Sequence, residues 1–571
     1  MAHSLDPDAL AQERERKISA LHTQAEEQHA ETLADESRLP YLNTKATPVD
    51  GSALTLRPIE AQRAAQAAIL KRKGRTLTVC VRQPALPATK AFFESLVSEN
   101  YTVEPAVVST TSLVHVWEQY EKFAYLNTHI TGDVAIAQDQ IDALREQVAT
   151  AEQLTERIGI ITAKDIGVFV ELLLAGAIQL GGSDIHVEPE ESHVAKVRYR
   201  LDGVLHDIVE IQQNIHHLLI ERVKLLASLK LNVSETGQDG RFTIHADARE
   251  IEIRASTLPG PNGEFLVLRL LDPHSLIDIP ELGLRSDLLA VIEEELKRPN
   301  GMVLTTGPTG SGKTTMLYAF LRRVNTPEVK VITIEDPIEY KIAGLEQTQV
   351  DHEAGYTFAQ GLRSIVRQDP DVILVGEIRD AETVDIALQA ALTGHLVFST
   401  LHTNDAAGAV PRLIDLGAHA ETIGSAVNVI MAQRLVRRLC TSCAESYVPD
   451  TDLLAKLHAV LDPLPEHLRV SLDPPPQLHR TKGCDVCHQI GYKGRVGIFE
   501  LFRLDEAAER QLKGRPSIAE LREFALAHGM VMLQQDALLR TLAGITSVEE
   551  VIRITGPLRA PHEEVPPVEA K

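Results

Sequence analysis

A glycine-rich stretch, GPTGSGKTT at 307–315, fits the pattern G-x-x-x-x-G-K-[ST] between a strand-like run and a helix-like segment. Glycines let the backbone wrap phosphate groups, so that N–H groups and the helix N-terminus face the negative charge. In this pattern Lys313 reaches the β- and γ-phosphates, and Thr314 offers its hydroxyl to Mg²⁺. The stretch therefore predicts a site for ATP and Mg²⁺. The predicted nucleotide-binding residues are Gly307, Pro308, Thr309, Gly310, Ser311, Gly312, Lys313, Thr314 and Thr315.

Two acidic residues follow β-branched runs that read as buried strands. Glu335 lies in VITIEDPIEY and Glu377 in DPDVILVGEIRD. The carboxyl ends of parallel strands converge on the site beside the phosphate loop. We predict that Glu377 is the general base or orients the attacking water, and that Glu335 is a second carboxylate serving metal or water. Solvated loop acids are the alternative. Gly376 stands where many phosphate-loop ATPases carry the Mg²⁺-binding Asp, which leaves the metal ligand open.

Two histidines flank a short strand in LTGHLVFSTLHTNDA. His395 and His402 are seven residues apart across that strand and form no obvious chelating pair. The segment STLHTND follows the strand as switch segments do, which favours His402 as a γ-phosphate sensor. A packed or capping histidine is the alternative.

Four of the five cysteines form two Cys-x-x-Cys pairs separated by 40 residues. Four thiolates in two such pairs suit tetrahedral Zn²⁺, and an all-thiolate shell is closed, hence structural. The predicted ligands are Cys440, Cys443, Cys484 and Cys487. The proline-rich segment between the pairs shows no evident core of its own, so the metal would pin its two ends. A redox pair or ordinary buried cysteines are the alternatives.

The elements that must position these residues change character along the chain. Residues 1–36 read as a polar helix or a flexible arm, and 139–154 as a helix. The stretch 160–272 alternates helices with strand pairs and predicts an α+β module. After 300, strands alternate with helices, as in a parallel α/β core. The predicted domains are an N-terminal region of uncertain fold at 1–150, the α+β module at 160–272, a linker at 273–286, the α/β domain at 287–555 with its cysteine subdomain at 436–500, and a disordered tail at 556–571.

Bulk properties narrow the class of protein. The net charge of −23 argues against a chain held on nucleic acid by phosphate neutralisation. No apolar run approaches the roughly 18–20 residues needed to span a bilayer. The first residues have neither a basic nor an apolar signal region. Cys80 is unpaired beside the two cysteine pairs, which indicates a reducing compartment. We therefore expect a cytoplasmic location.

Taken together, four segments resemble a known superfamily. GPTGSGKTT, ITIEDPIEY, LRSIVRQDPDVILVGEIRD and TGHLVFSTLHTNDA resemble the Walker A, Asp-box, Walker B and His-box segments of the secretion ATPases. The cysteine pairs followed by GYKGRVGIFEL make 160–555 similar to type II secretion and type IV pilus assembly ATPases, whereas pilus retraction ATPases usually lack this insertion. The resemblance implies a PAS-like second N-terminal domain followed by a RecA-like ATPase domain that contains the zinc subdomain.

The resemblance also implies an assembly. Its members form a cytoplasmic homo-hexamer docked on an inner-membrane platform protein, and turn ATP hydrolysis into polymerisation of pilins or pseudopilins. Membrane association would then be peripheral, through partners, with no nucleic acid bound.

Several arginines match the family segments individually. Arg254 and Arg269 match the pair that approaches ATP from the N-terminal domain, so we expect their partner to be ATP rather than a local carboxylate. Arg363 and Arg367 match the segment before Walker B, and Arg495 matches the arginine of GYKGR. Each of these residues, taken singly, could also be a surface arginine.

Two other functions compete with the motor. One is a regulatory scaffold that binds ATP but scarcely turns it over; Lys313, Glu335, Glu377 and His402 argue for turnover instead. The other is a DNA-uptake or conjugation motor, which is weaker because no basic DNA-binding stretch stands out. The sequence leaves open pilin against pseudopilin, and whether the first 150 residues bind a platform partner or a cyclic dinucleotide.

Overall fold

The computed structural model describes residues 25–44, 47, 49–54, 56–127, 133–135, 166–246, 249–273, 276–514 and 516–561. The chain divides into two compact units, 1–272 and 273–571. This division falls at the start of the predicted linker. The helix predicted at 139–154 lies outside the described residues.

The first unit begins with a small three-stranded sheet. Strand β1 pairs antiparallel with β2, and β2 pairs parallel with β3. The stretches TLTVCV and PATKAFFESLVS form β2 and α4. Of the polar helix predicted at 1–36, the described part is helical as α1. The strands are β1 (Ala67–Lys73), β2 (Thr76–Val81) and β3 (Thr102–Val107), and the helices are α1 (25–37), α2 (Gly51–Leu54), α3 (Ile59–Ala64), α4 (Pro87–Ser98) and α5 (Thr110–Asn127).

In the described part of the first unit, a seven-stranded sheet in the order β4-β8-β9-β10-β5-β6-β7 follows, together with two helices. Its strands are β4 (Asp133–Ala135), β5 (Gly182–Pro189), β6 (Val194–Leu201), β7 (Val204–Gln212), β8 (Gln238–Ala246), β9 (Arg249–Gly260) and β10 (Gly263–Leu271), and its helices are α6 (Ile166–Gln179) and α7 (Gln213–Leu226). Asp202 and Gly203 connect β6 to β7 with φ values of 47° and 84°, which suit a two-residue hairpin turn. The α+β character of this stretch is as predicted.

The second unit is built on a mostly parallel sheet in the order β13-β12-β14-β15-β11-β16-β19, in which only β19 runs antiparallel to its neighbour. Strands β11, β12, β14 and β15 are buried along their whole length, because apolar clusters cover both faces of the sheet. The main strands are β11 (Gly301–Thr306), β12 (Val331–Glu335), β13 (Glu346–Gln349), β14 (Val372–Val375), β15 (Leu396–Leu401), β16 (Val427–Leu439) and β19 (Tyr492–Arg503). This is the predicted RecA-like α/β core.

Helices and one short ribbon complete this unit. The helices are α8 (Ser286–Glu295), α9 (Lys313–Val324), α10 (Phe358–Ile365), α11 (Ala381–Leu392), α12 (Ala409–Asp415), α13 (Ala420–Ala426), α14 (Thr451–Leu461), α15 (Glu506–Leu512), α16 (Ile518–Ala527), α17 (Leu533–Leu542) and α18 (Val548–Thr555); the ribbon is β17 (Glu445–Tyr447) with β18 (Leu478–Arg480). No helix in the described part of the chain is both long and apolar enough to cross a bilayer.

Three segments are more ordered than their composition predicts. Between the cysteine pairs, helix α14 buries Leu457 and Leu461 in the main core of the unit, so this segment shares that core. In the predicted linker, Ile279 and Leu282 join the other apolar cluster. In the tail, residues 556–561 are placed against α17, where Gln534 bonds to three of their backbone groups. Residues 562–571 lie outside the described part.

Candidate nucleotide site and cysteine cluster

The phosphate loop, residues 307–312, joins the end of β11 to the start of α9. Gly307, Gly310 and Gly312 have φ values of 152°, 78° and 87°, which favour glycine. A Cβ atom on Gly307 would lie 2.7 Å from the carbonyl oxygen of Gln433, so the loop passes close to β16. The hydroxyl of Ser311 is buried and has no hydrogen-bond partner. A phosphate oxygen cradled by this loop would give it one, which fits a nucleotide.

Lys313 begins α9 with its ammonium group folded over the loop. Nζ donates to the carbonyl oxygens of Gly307, at 2.6 Å, and Pro308, at 3.1 Å. Burial lowers the pKa of Lys313 to about 8, helped by the Arg434 cation and opposed by Glu377. Thr314 follows in the first turn, where a hydroxyl suits Mg²⁺ beside phosphates. The loop therefore combines a confined cation with the N-terminus of a helix.

Glu377 and His402 meet at the carboxyl ends of two adjacent strands, β14 and β15. His402 Nε2 lies 3.4 Å from Glu377 Oε2, and Arg379 Nη2 lies 2.6 Å from Oε1 of the same carboxylate. The Glu377 side chain is 12% exposed. Burial and the Lys313 cation lower the pKa of His402, against the pull of Glu377. This brings together three predicted residues: a carboxylate, a neutral imidazole and the loop ammonium.

His395, by contrast, lies at the other end of β15. Its Nδ1 is 3.0 Å from the carbonyl oxygen of Ala390. The two histidines therefore do not share a site, as their spacing predicts.

Glu335 ends β12 and is buried in a hydrogen-bond network. Oε1 accepts from the Thr333 hydroxyl at 2.6 Å and from the Gln347 amide at 3.1 Å. Oε2 accepts from the hydroxyl of Tyr318, on α9. Three donors thus hold this carboxylate next to the helix that follows the phosphate loop. A role for Glu335 with metal or water remains a prediction.

Gly376 occupies the position where many phosphate-loop ATPases carry the Asp that binds Mg²⁺. A Cβ atom here would lie 3.3 Å from the carbonyl oxygen of Ile334 and 3.4 Å from the Cα of Glu335. The close approach of β12 and β14 therefore leaves little room for a longer side chain. Thr314 and Glu335 are therefore the candidate protein ligands of Mg²⁺, and the phosphates of ATP and water would supply the other oxygen ligands.

Arg254 and Arg269 lie directly opposite each other on β9 and β10 of the first unit. Arg241 of β8 stands opposite Arg254, so three arginines form one row across the sheet. Such a row of like charges is unfavourable without anions nearby. The expectation that these arginines have no local carboxylate partner is wrong. Arg269 Nε lies 2.9 Å from Asp184 Oδ1, and Arg254 Nε lies 3.2 Å from Glu252 Oε1.

The other matched arginines are in the second unit. Arg363 forms an ion pair with Glu382 across α10 and α11. The backbone carbonyl of Arg495 accepts a hydrogen bond from Arg438 Nε at 3.3 Å. Their roles toward ATP, and that of Arg367, remain predictions.

The four cysteines of the two pairs converge. Their sulfur atoms all lie within 4.8 Å of one another, with Sγ···Sγ distances of 3.8 Å for Cys440 and Cys484 and 3.7 Å for Cys443 and Cys487. A tetrahedral ion with Zn–S bonds of about 2.3 Å requires S···S distances of about 3.8 Å. Backbone N–H groups of Cys484 and Gly491 point at the Cys487 sulfur. The donor set and its spacing therefore fit Zn²⁺.

Sequence reasoning missed several residues around the nucleotide loop. Gln433 and Arg434 of β16 contact it, Tyr318 holds Glu335, and Arg379 pairs with Glu377. Arg379 stands next to a strand end in the sequence, so the reasoning that found Glu377 could have found it. Gln433 and Arg434 lie about 120 residues from the loop, and no local signal marks them.

The family model described as Type II/IV secretion system protein matches residues 161–553. Type II secretion system protein E of Pseudomonas aeruginosa is 43% identical over 419 residues, which cover 72% of this chain and 79% of that protein. Type II secretion system ATPase E of Vibrio cholerae is 41% identical over 409 residues, covering 71% and 79%. The solved structure of the Legionella pneumophila ATPase DotB covers 68% of this chain and 96% of that one, at 22% identity and a TM-score of 0.49.

Proposed function

This chain belongs to the Type II/IV secretion system protein family and is an ATPase, and on that premise we propose that it is a hexameric assembly motor. It would couple ATP hydrolysis to growth of a type II secretion pseudopilus or a type IV pilus. It would act at the cytoplasmic face of the inner membrane, docked on a platform protein. The relatives named for type II secretion favour the pseudopilus of these two products.

One observation carries the enzymatic part of the proposal. Lys313, Glu377 and His402 come from three separate segments and meet at one edge of the sheet, with His402 3.4 Å from Glu377. The Lys313 cation lowers the pKa of His402, and the Glu377 carboxylate raises the pKa of Lys313. A scaffold that only binds ATP needs the phosphate loop but not this carboxylate and imidazole beside it.

Each residue has a role in the proposed hydrolysis. The loop N–H groups and Lys313 hold the β- and γ-phosphates. Glu377 orients or deprotonates the attacking water, since its charge acts on the loop cation and it lies beside His402. His402, held neutral, senses the γ-phosphate through a hydrogen bond. Mg²⁺, held by Thr314 and the phosphates, supplies charge neutralisation when bound. Arg254 and Arg269 would add positive charge from the first unit, exchanging their local carboxylates for phosphate.

Zn²⁺ on Cys440, Cys443, Cys484 and Cys487 would have a structural role. Four thiolates leave no open coordination position for a substrate. The ion would fix the end of β16, the start of β19 and the two ends of the segment between them.

Phosphate release by the purified full-length chain tests the enzyme. We expect steady ATP turnover, abolished by Lys313→Ala and unchanged by Lys456→Ala, an exposed lysine on α14. No turnover in the wild type, or equal turnover in Lys313→Ala, would overturn the assignment of the site.

The mass of the complex tests the ring. With a non-hydrolysable ATP analogue, sedimentation should show six chains, about 376 kDa, which is six times the 62.7 kDa of the chain. A monomer with full ATP turnover would contradict the hexamer. Crosslinking in intact membranes should then join the complex to an integral membrane protein, and its absence would remove the platform from the proposal.

A further inference from the structure

Residues 402–406 form a segment that touches four different elements of the second unit; we call it the switch segment. Thr403 bonds through its backbone N–H, at 2.8 Å, and its hydroxyl, at 2.7 Å, to the Thr306 hydroxyl at the end of β11. Asp405 forms an ion pair of 2.7 Å with Arg522 of α16. The Ala406 N–H donates to Glu500 of β19 at 2.8 Å. The fourth contact comes from β16, beside the phosphate loop.

That fourth contact is made by Arg434. Its Nη2 donates to the carbonyl oxygen of Asn404 at 2.8 Å, and its Nη1 donates to the carbonyl oxygen of Gln433 at 2.9 Å. A Cβ atom on Gly307 would lie 3.0 Å from this same Nη1. The guanidinium group therefore lies between Gly307, the first residue of the phosphate loop, and Asn404, the second residue after His402.

The course of β16 explains this position. Strand β16 pairs with β11 up to Thr306 and Ala432, where β11 ends and the loop begins. Strand β16 continues beyond that point, so Gln433 and Arg434 run alongside the loop. The Arg434 cation also lowers the pKa of Lys313. Contacts and charge thus place Arg434 at the junction of loop, lysine and switch segment.

We propose that Arg434 is a positioning residue of the ATPase site: it holds the switch segment, and with it His402, in register with the phosphate loop. This inference rests on the proposed function of that site. A planar guanidinium can bond two carbonyl oxygens at once, which neither lysine nor glutamine can do in the same geometry. Without it, His402 would still be present but no longer fixed relative to the γ-phosphate, and misplacement of a reacting group by about 1 Å can cost roughly 10²-fold in rate.

The role predicts a split between binding and turnover. Arg434→Gln should lower kcat by about 10- to 100-fold and change the KM for ATP less than threefold, because the loop N–H groups and Lys313 remain. Arg434→Lys should recover part of kcat, since the positive charge stays while the pair of hydrogen bonds to two carbonyl oxygens is lost. Arg438→Gln is the matched control: it is an exposed arginine four residues further along β16. Wild-type kcat in both Arg434 variants would overturn the proposal. So would a rise in KM that alone accounts for the loss.

A double variant tests whether Arg434 acts through His402. If it does, Arg434→Gln combined with His402→Ala should be no slower than His402→Ala alone, because residues acting as a unit are non-additive. Effects that multiply would overturn the inference while leaving the site intact. If Arg434→Gln is not recovered folded, the cycle with Arg434→Lys decides in the same way. A wild-type chain without ATP turnover would instead be a failure of the proposed function.

Discussion

At the residue scale, the charge on Lys313 sets a pH limit on nucleotide binding. Burial holds the pKa of this ammonium at about 8. Above that pH the lysine loses its proton and its charge, so the attraction for the phosphates falls as pH rises. We expect ATP affinity to drop about tenfold between pH 7 and pH 9. Titration with a fluorescent ATP analogue measures this. Lys313→Ala should bind weakly with no such dependence, and a flat profile in the wild type would contradict the expectation.

Changing the two carboxylates to amides should impair different properties of the protein: turnover for Glu377 and stability for Glu335. Glu377→Gln loses the proton acceptor, so turnover should fall by about 10²-fold or more while ATP binding and thermal stability persist. Glu335→Gln places an amide among three hydrogen-bond donors, which should cost about 1–3 kcal/mol of stability. Turnover and thermal melting of both variants separate the roles. Near-normal turnover in Glu377→Gln with a crippled Glu335→Gln would reverse them.

Because Arg269 pairs with Asp184, it has two candidate roles: it supports the fold of the first unit, or it acts on the phosphates of ATP. The two roles predict opposite results. Asp184 also lies 3.4 Å from Arg200, so it keeps a partner when Arg269 is removed. Arg269→Ala should therefore cost less than about 1 kcal/mol of stability. If Arg269 meets developing phosphate charge, turnover should still fall severely, by about 10³-fold or more. Lys196→Ala, which breaks the ion pair with Glu190, is the control. A lower melting temperature with near-normal turnover would leave Arg269 a supporting residue only.

Residues with local signals were predictable, and those defined by strand pairing were not. Lys313 and Glu377 stand in patterns that place them at a strand end, so the sequence alone locates them. Asp184 and Arg434 acquire partners that are distant in the sequence, about 85 and 30 positions away. Charge alone does not reveal such pairing.

At the element scale, the alternation of buried strands with helices predicts a parallel sheet but not its order. The phosphate-loop strand β11 lies between β15 and β16, which come about 90 and 125 residues later. That order brings His402 and Arg434 to the two sides of the loop. Helix α14 was missed because prolines follow it, yet its leucines at 3.6-residue spacing bury one face in the main core.

The cysteine cluster, with Zn²⁺ bound, should hold the ends of its segment rather than all of it. Elemental analysis should find one Zn²⁺ per chain, lost in the Cys484→Ser, Cys487→Ser double variant. Chelation should raise amide exchange at 440–443 and 481–491, because metal binding contributes folding free energy there. Helix α14 should stay protected, since Leu457 and Leu461 are buried in the main core. Protection at the cysteines after complete zinc removal would contradict a structural ion.

At the scale of the whole molecule, two units with separate cores should unfold separately. Asp536 is fully buried in the second unit, where it accepts from Arg285 at 2.7 Å and from the Phe499 N–H at 2.8 Å. Asp536→Ala removes one of the two carboxylates that pair with Arg285, the other being Asp287, and leaves the Phe499 N–H without its acceptor, so it should cost about 1–3 kcal/mol. Calorimetry of the full chain should show one transition shifted down and the other unchanged. Asp452→Ala, at an exposed position, is the control; a shift of both transitions would mean that the units unfold together.

The predicted boundary at 272/273 rests on prolines and a change in pattern, and the chain divides there. The predicted linker, 273–286, includes residues that are packed into the second unit. Gly283 packs against Val496, and its carbonyl oxygen accepts from Arg540. Composition marks Pro and Gly as a break but does not show that the residues between them are anchored by side chains from 200 positions away.

The length of β16 would enlarge a small tilt at Arg434 into a larger displacement at Cys440. The strand contacts the phosphate loop at Arg434 and reaches Cys440 six residues later, about 20 Å along an extended strand. The antiparallel ladder with β19 stiffens that length. A tilt of about 10° at the arginine would therefore carry the cysteine cluster through roughly 3 Å, about the length of one residue in a strand. A small rotation beside the phosphate loop would thus reach the cysteine cluster as a displacement of about one residue length.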